Sequence, residues 1–174
     1  MCIGQRLTNA GRWAGCPPAK GSGPGWLEQL WNAPQVRFFT GDYLYFSIDL
    51  TVIPLVGGKM TPIGYVLPLR GDYAGKLTRY FDSGVRIGLD ASGSLNFGKA
   101  LLSGPISEIT LKNFAGNRWA ADVGYGSAAI GGFYSPPSPG SNHNGVFGIN
   151  AGLGFGVPLF NGNVNYGSTW LVNP

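Results

Sequence analysis

The sequence predicts an all-β domain, an antiparallel meander of about eight to ten short strands closed or nearly closed into a barrel, with a sandwich as the alternative arrangement and a short N-terminal helix ahead of it. Three observations carry this prediction. Apolar residues alternate with small or polar ones over long stretches, 30 glycines and 13 prolines punctuate the 174-residue chain, and only 11% of residues are charged. Ordinary soluble domains carry about 25% charged residues. A surface with so few charges is either coated with Ser, Thr, Asn, Gly and Tyr or covered by lipid or another protein.

Residues 1–25 are rich in Gly, Pro, Ala and Ser, lack periodicity and read as an extended arm. Trp26, Leu27, Leu30 and Trp31 fall at helical spacing and predict one or two turns, which Pro34 ends. The domain organisation expected is therefore a flexible arm with a short helix over 1–34 and a β domain over 35–174.

The β signal begins at Phe38. From Tyr43 to Ile53, Leu44, Phe46, Ile48, Leu50 and Val52 share one face, and Tyr43, Tyr45, Ser47, Asp49 and Thr51 the other. Gly57-Gly58 predicts a turn into a return strand over 59–67, interrupted by Pro62 and closed by Pro68, which suits a sheet margin or a bulge. A short strand follows over Lys76–Phe81. Val85, Ile87 and Leu89 then alternate with Arg86, Gly88 and Asp90, and Ala91-Ser92-Gly93 turns the chain toward Leu95 and Phe97. Ile106, Ile109, Leu111 and Phe114 read as a strand whose slipped parity a bulge would absorb. Arg118 to Phe133 reads as one strand. The polar segment Ser135–Gly145 reads as an exposed loop. On the next strand Phe147, Ile149, Ala151, Leu153, Phe155 and Val157 share one face, and Gly148, Asn150, Gly152, Gly154 and Gly156 the other; Asn161-Gly162-Asn163 turns into a last strand over 164–172.

The glycine face asks for an explanation, because glycine costs backbone entropy in a strand and packs nothing. Large aromatic rings from neighbouring strands could lie across the bare backbone, or a tight barrel could need sharp coiling there. Alternatively, the apolar face could look at lipid while the small-residue face lines a narrow lumen. If the interior is polar, Tyr45, Asp49, Arg86, Asp90, Asp122 and Asn150 line it by strand parity and are the candidate ligand-binding residues.

No catalytic constellation stands out, so the chain reads as a non-enzymatic module. His143 is the single histidine and sits in the polar loop; no Cys/His set has metal-ligand spacing, and no cofactor motif is present. Gly152-Leu153-Gly154-Phe155-Gly156 lies inside a period-two pattern with no helix after it, so it is not a dinucleotide fingerprint. Two carboxylates could serve a hydrolase, with Asp90 and Asp122 as the pair to test. Cys2 and Cys16 would form one disulfide in an oxidising compartment or remain free thiols. The 12 basic residues are scattered, so no nucleic-acid partner is expected. The first 20 residues hold no apolar stretch of signal-peptide length, and no run of apolar residues is long enough for a transmembrane helix. The abrupt ends suggest a piece of a longer protein.

Gly41-Asp42-Tyr43, Ser83 to Leu89, Asn113-Phe114-Ala115-Gly116-Asn117 and Ala151 to Gly156 lie within a stretch, about residue 36 to 172, that resembles the glycine-rich β C-terminal regions of bacterial Rhs/YD-repeat polymorphic toxins. The resemblance implies a bacterial module, secreted or in the cell envelope, forming the effector end of a larger parent protein. It would act by binding or by membrane insertion, with a membrane, the parent protein and an immunity protein as partners. It transfers no catalytic residue. An outer-membrane or pore-forming β-barrel is the alternative function, and a carboxylate-dependent hydrolase the third.

Overall fold

In the computed structural model, residues 25–137, 139, 145–157 and 160–172 are described, with the backbone alone at 52–55, 88–92, 156, 157, 160 and 161. Cys2, Cys16 and His143 lie outside the described residues. The chain divides into two compact units, Met1–Ala33 and Pro34–Pro174. In the first, helix α1 (Gly25–Trp31) forms where the apolar spacing predicts it and leaves Trp26, Leu27, Leu30 and Trp31 largely exposed.

The second unit opens with helix α2 (Pro34–Thr40), not with a strand. Pro34 takes its first position, where a missing N–H costs nothing, so Phe38 is helical rather than the start of the β region. Six strands follow: β1 (Tyr43–Pro68), β2 (Thr78–Leu102), β3 (Gly116–Tyr125), β4 (Ala128–Ser135), β5 (Val146–Val157) and β6 (Phe160–Val172). All pairings are antiparallel. β1 runs beside β2 from Tyr43↔Ala100 to Val66↔Thr78, and Pro62 sits where the register shifts between Thr61 and Gly64. The other edge of β2 is shared, its first half with β6 and its second with β5, while β5, β4, β3 and β6 follow one another. The two long strands supply two staves each, and the whole closes as an eight-stranded antiparallel barrel.

Several local readings change. The turns expected at Gly57-Gly58 and Ala91-Ser92-Gly93 fall inside continuous strands, because β1 and β2 stay paired through both stretches. The strand expected over Arg118–Phe133 is two strands joined at Gly126, whose φ of 59° lies in the region glycine occupies at little cost. The strand expected at Ile106–Phe114 is a 3-10 turn (Ile106–Glu108) followed by helix α3 (Leu111–Phe114). A reciprocal cap between Thr110 and Asn113 starts that helix. The slipped parity of its apolar residues was a helical spacing, not a bulge.

The faces of the barrel are reversed relative to a soluble one. Asp49 and Arg86 are 4% exposed, whereas Phe97, Ile130 and Phe155 are 60%, 65% and 76% exposed. The apolar side of each strand points outward, and the polar or glycine side points into the lumen. Ile149 is exposed while Gly152 meets the Asn96 side chain inside. The apolar core is confined to one end of the barrel, around Tyr43, Tyr80, Leu102, Ile109, Phe114 and Val146.

Inward glycines make room for the rings at that end. A Cβ on Gly98 would strike the Tyr45 ring, and one on Gly148 the Phe133 ring. The first of the accounts offered for the glycine face therefore operates: rings lie across bare backbone, inside a barrel whose apolar side is turned out.

Candidate functional site

The lumen is the site, and strand parity builds it. Alternate residues of β1 (Tyr45, Ser47, Asp49, Thr51) point inward, as do Asp82, Arg86 and Asn96 on β2 and Arg118 and Asp122 on β3. An isolated charge so enclosed is costly, and pairing offsets the cost. Lys59 Nζ lies 2.7 Å from Asp49 Oδ2. Arg86 pairs with Asp122, and Arg118 with Asp82. Hydrogen bonds extend each pair. Thr61 Oγ1 donates to Asp49 over 2.6 Å and Asn96 Nδ2 donates to it over 3.1 Å; Arg86 donates to Thr51 Oγ1 over 2.9 Å, and Asn163 Nδ2 to Asp122 over 3.3 Å. Among the described lumen residues the charges balance, three cations against three carboxylates.

Toward the apolar end the lumen becomes aromatic. The Arg118 guanidinium lies 5.0 Å from the Phe133 ring centre, 5.8 Å from Phe114 and 5.9 Å from Tyr80. Its charge is thus met by Asp82 on one side and by ring faces on the others. Below this layer Asp42 is fully buried and gripped by both arms of Arg37 at 2.7 Å, with the Leu102 N–H donating to it over 2.9 Å and Arg70 at 3.9 Å. Burial lowers the Arg70 pKa from its ordinary value, with the Asp42 carboxylate acting in the opposite direction.

Between these layers and the other end lies a cavity of about 80 Å³, well above the roughly 10–15 Å³ that a single water needs. Of the six residues expected to line a polar interior, Tyr45, Asp49, Arg86, Asp122 and Asn150 do so together. The Asp90 side chain lies outside the described residues, so the Asp90/Asp122 pair has no geometry to assess. Asp122 itself is engaged by Arg86 and Asn163.

Lys59, Asp82, Asn96 and Arg118 also belong to the site and were missed. Arg118 shares parity with Asp122 and was recoverable. Asp82 was lost because the strand was ended at Phe81, and Lys59 because a turn was expected just before it where β1 stays paired with β2. No described group of three His, Cys, Asp or Glu side chains could hold a metal ion.

The outer face is equally ordered. Among the described side chains on the strands, the outward charged ones are Arg79 and Lys99, both on β2 at the apolar-core end; the remainder of the outer wall is uncharged. Phe147, Tyr134, Trp119 and Tyr166 stand side by side on four adjacent strands, with ring centres 4.6 Å apart in the two flanking pairs. No described helix is long and apolar enough to cross a membrane.

Comparison with protein-family models, curated proteins and solved structures gives no match.

Proposed function

We propose that this domain is a membrane-embedded β-barrel. The observation that carries the reading is the inversion itself: paired charges and amides occupy the lumen, while the described outer wall is apolar, carries a row of aromatic rings and bears charge only at Arg79 and Lys99, at the apolar-core end. In water, an apolar patch beyond a few hundred Å² is a liability; in a bilayer an apolar band with aromatic girdles and a polar interior is what a spanning barrel needs. Strands of 10, 8, 12 and 13 residues (β3 to β6) bracket the roughly 9–11 residues that a tilted strand uses to span hydrocarbon. The glycine-rich motifs support an exported bacterial origin for such a module, the effector end of a larger toxin that acts by inserting into its target's membrane.

Flotation tests the reading. The chain, refolded from denaturant in the presence of phosphatidylcholine/phosphatidylglycerol vesicles, is expected to rise with the lipid through a density gradient. It should resist extraction at high salt and run faster unheated than boiled on a denaturing gel. A chain that stays monomeric and folded in detergent-free buffer and sediments away from vesicles would overturn it.

A further inference from the structure

We infer that the segment joining β2 to β3, residues 103–115, is a plug that shuts the lumen at its aromatic end, with Phe114 as the seal, and that displacing it opens a path for small inorganic ions. This rests on the membrane-barrel reading above and names how that lumen is regulated.

The segment is longer than the two to five residues of an ordinary hairpin loop, and it folds inward. Ile109, Leu111 and Phe114 are buried at one mouth of an otherwise polar channel. The Phe114 ring meets rings from three strands: Tyr43 at 5.9 Å and Tyr45 at 5.6 Å on β1, Tyr80 at 5.2 Å on β2 and Phe133 at 5.8 Å on β4. A side chain that reaches these separate parts of the wall crosses the bore.

On the far side of this layer the lumen is polar. Tyr45 and Asn165 line the cavity, and the Tyr45 hydroxyl and Asn165 amide nitrogen have no hydrogen-bond partner among the described residues, which calls for water there. A solvated, charge-balanced passage that ends on an apolar constriction is the arrangement in which dewetting stops ions. Besides its buried apolar side chains, the plug is held by a few hydrogen bonds. The Tyr43 hydroxyl donates to Thr110 O over 2.9 Å, Arg37 donates to Gly104 O over 2.9 Å, and the Ser103 N–H donates to Gly145 O over 2.9 Å.

The test is single-channel recording and potassium efflux from vesicles carrying the full chain, with flotation run on the same preparations. The native chain should insert and leak no faster than empty vesicles. Phe114→Ala should insert equally well and raise efflux tenfold or more. Phe114→Leu, which keeps the fold with a smaller seal, should raise it severalfold, and the outer-face control Phe97→Leu should leave it unchanged. Insertion of both Phe114 variants with efflux at the native level overturns the plug, as does steady conductance by the native chain. Should Phe114→Ala not insert, Phe114→Leu decides by the same criterion. Failure of the native chain to float overturns the membrane reading instead.

Discussion

Thr61 donates a 2.6 Å hydrogen bond to Asp49, although both belong to β1. Twelve extended residues at about 3.3 Å each would set them about 40 Å apart, so β1 doubles back on itself, and β2, paired with it throughout, must follow. That fold-back turns two strands into four staves and brings Lys59 onto Asp49.

The Asp49 cluster should therefore hold the fold-back. Asp49→Ala leaves Lys59 enclosed without its counter-charge and deprives Thr61 and Asn96 of their acceptor. Breaking one side of such a pair typically costs about 3–5 kcal/mol. Urea unfolding in detergent micelles should show a loss of that order, and the Asp49→Ala/Lys59→Ala double variant should lose less than the two single losses combined. A loss below about 0.5 kcal/mol, the scale of ordinary surface substitutions, would remove the cluster from the stability argument.

Ile130, 65% exposed on β4, reads out the solvent of the outer wall. On a water-facing surface Ile130→Lys would change stability by no more than about 0.5 kcal/mol. Near the middle of a bilayer a lysine on the lipid face costs about 2–4 kcal/mol. The expectation is the larger value for folding into vesicles, and parity with the native chain would count against a lipid-facing wall.

Gly148 and Phe133 should be coupled. Gly148→Ala pushes a methyl into the Phe133 ring, and overpacking of this kind costs about 1–3 kcal/mol. In a Phe133→Leu background the same change should cost clearly less. A double-mutant cycle giving simple additivity would show that the glycine is not there to admit the ring.

Asp42 ties α2 to the plug end. Asp42→Asn removes the charge opposing Arg37 and Arg70 and weakens both arms of the Arg37 grip. The loss expected is about 3 kcal/mol or more, read as an earlier denaturation midpoint. A midpoint equal to the native one would mean that Arg37 and Arg70 find other partners.

Much of the lumen was legible. Tyr45, Asp49, Arg86, Asp122 and Asn150 were grouped by parity alone, and they do face one cavity. Arg118, two and four positions from Ala120 and Asp122, obeys the same rule. Phe114 did not yield to it, because its neighbours are helical and a period-two reading can only record the mismatch. Asp82 was hidden because the strand was ended one residue short of it, and Lys59 because a turn was expected just before it where β1 in fact stays paired with β2.

By itself the sequence determined that these ribbons have two unlike sides and which residues share each. Alternation is a relation between neighbours along a strand, fixed by the pleat, so it is unchanged if both sides are exchanged. Only closure of the barrel decided that Asp49 and Arg86 go in while Ile130 and Phe155 go out. The reason is one of space and charge: three ion pairs and the rings gathered around Phe114 line a bore that glycine backbones leave wide enough, and the bulky apolar side chains are left to the outer surface.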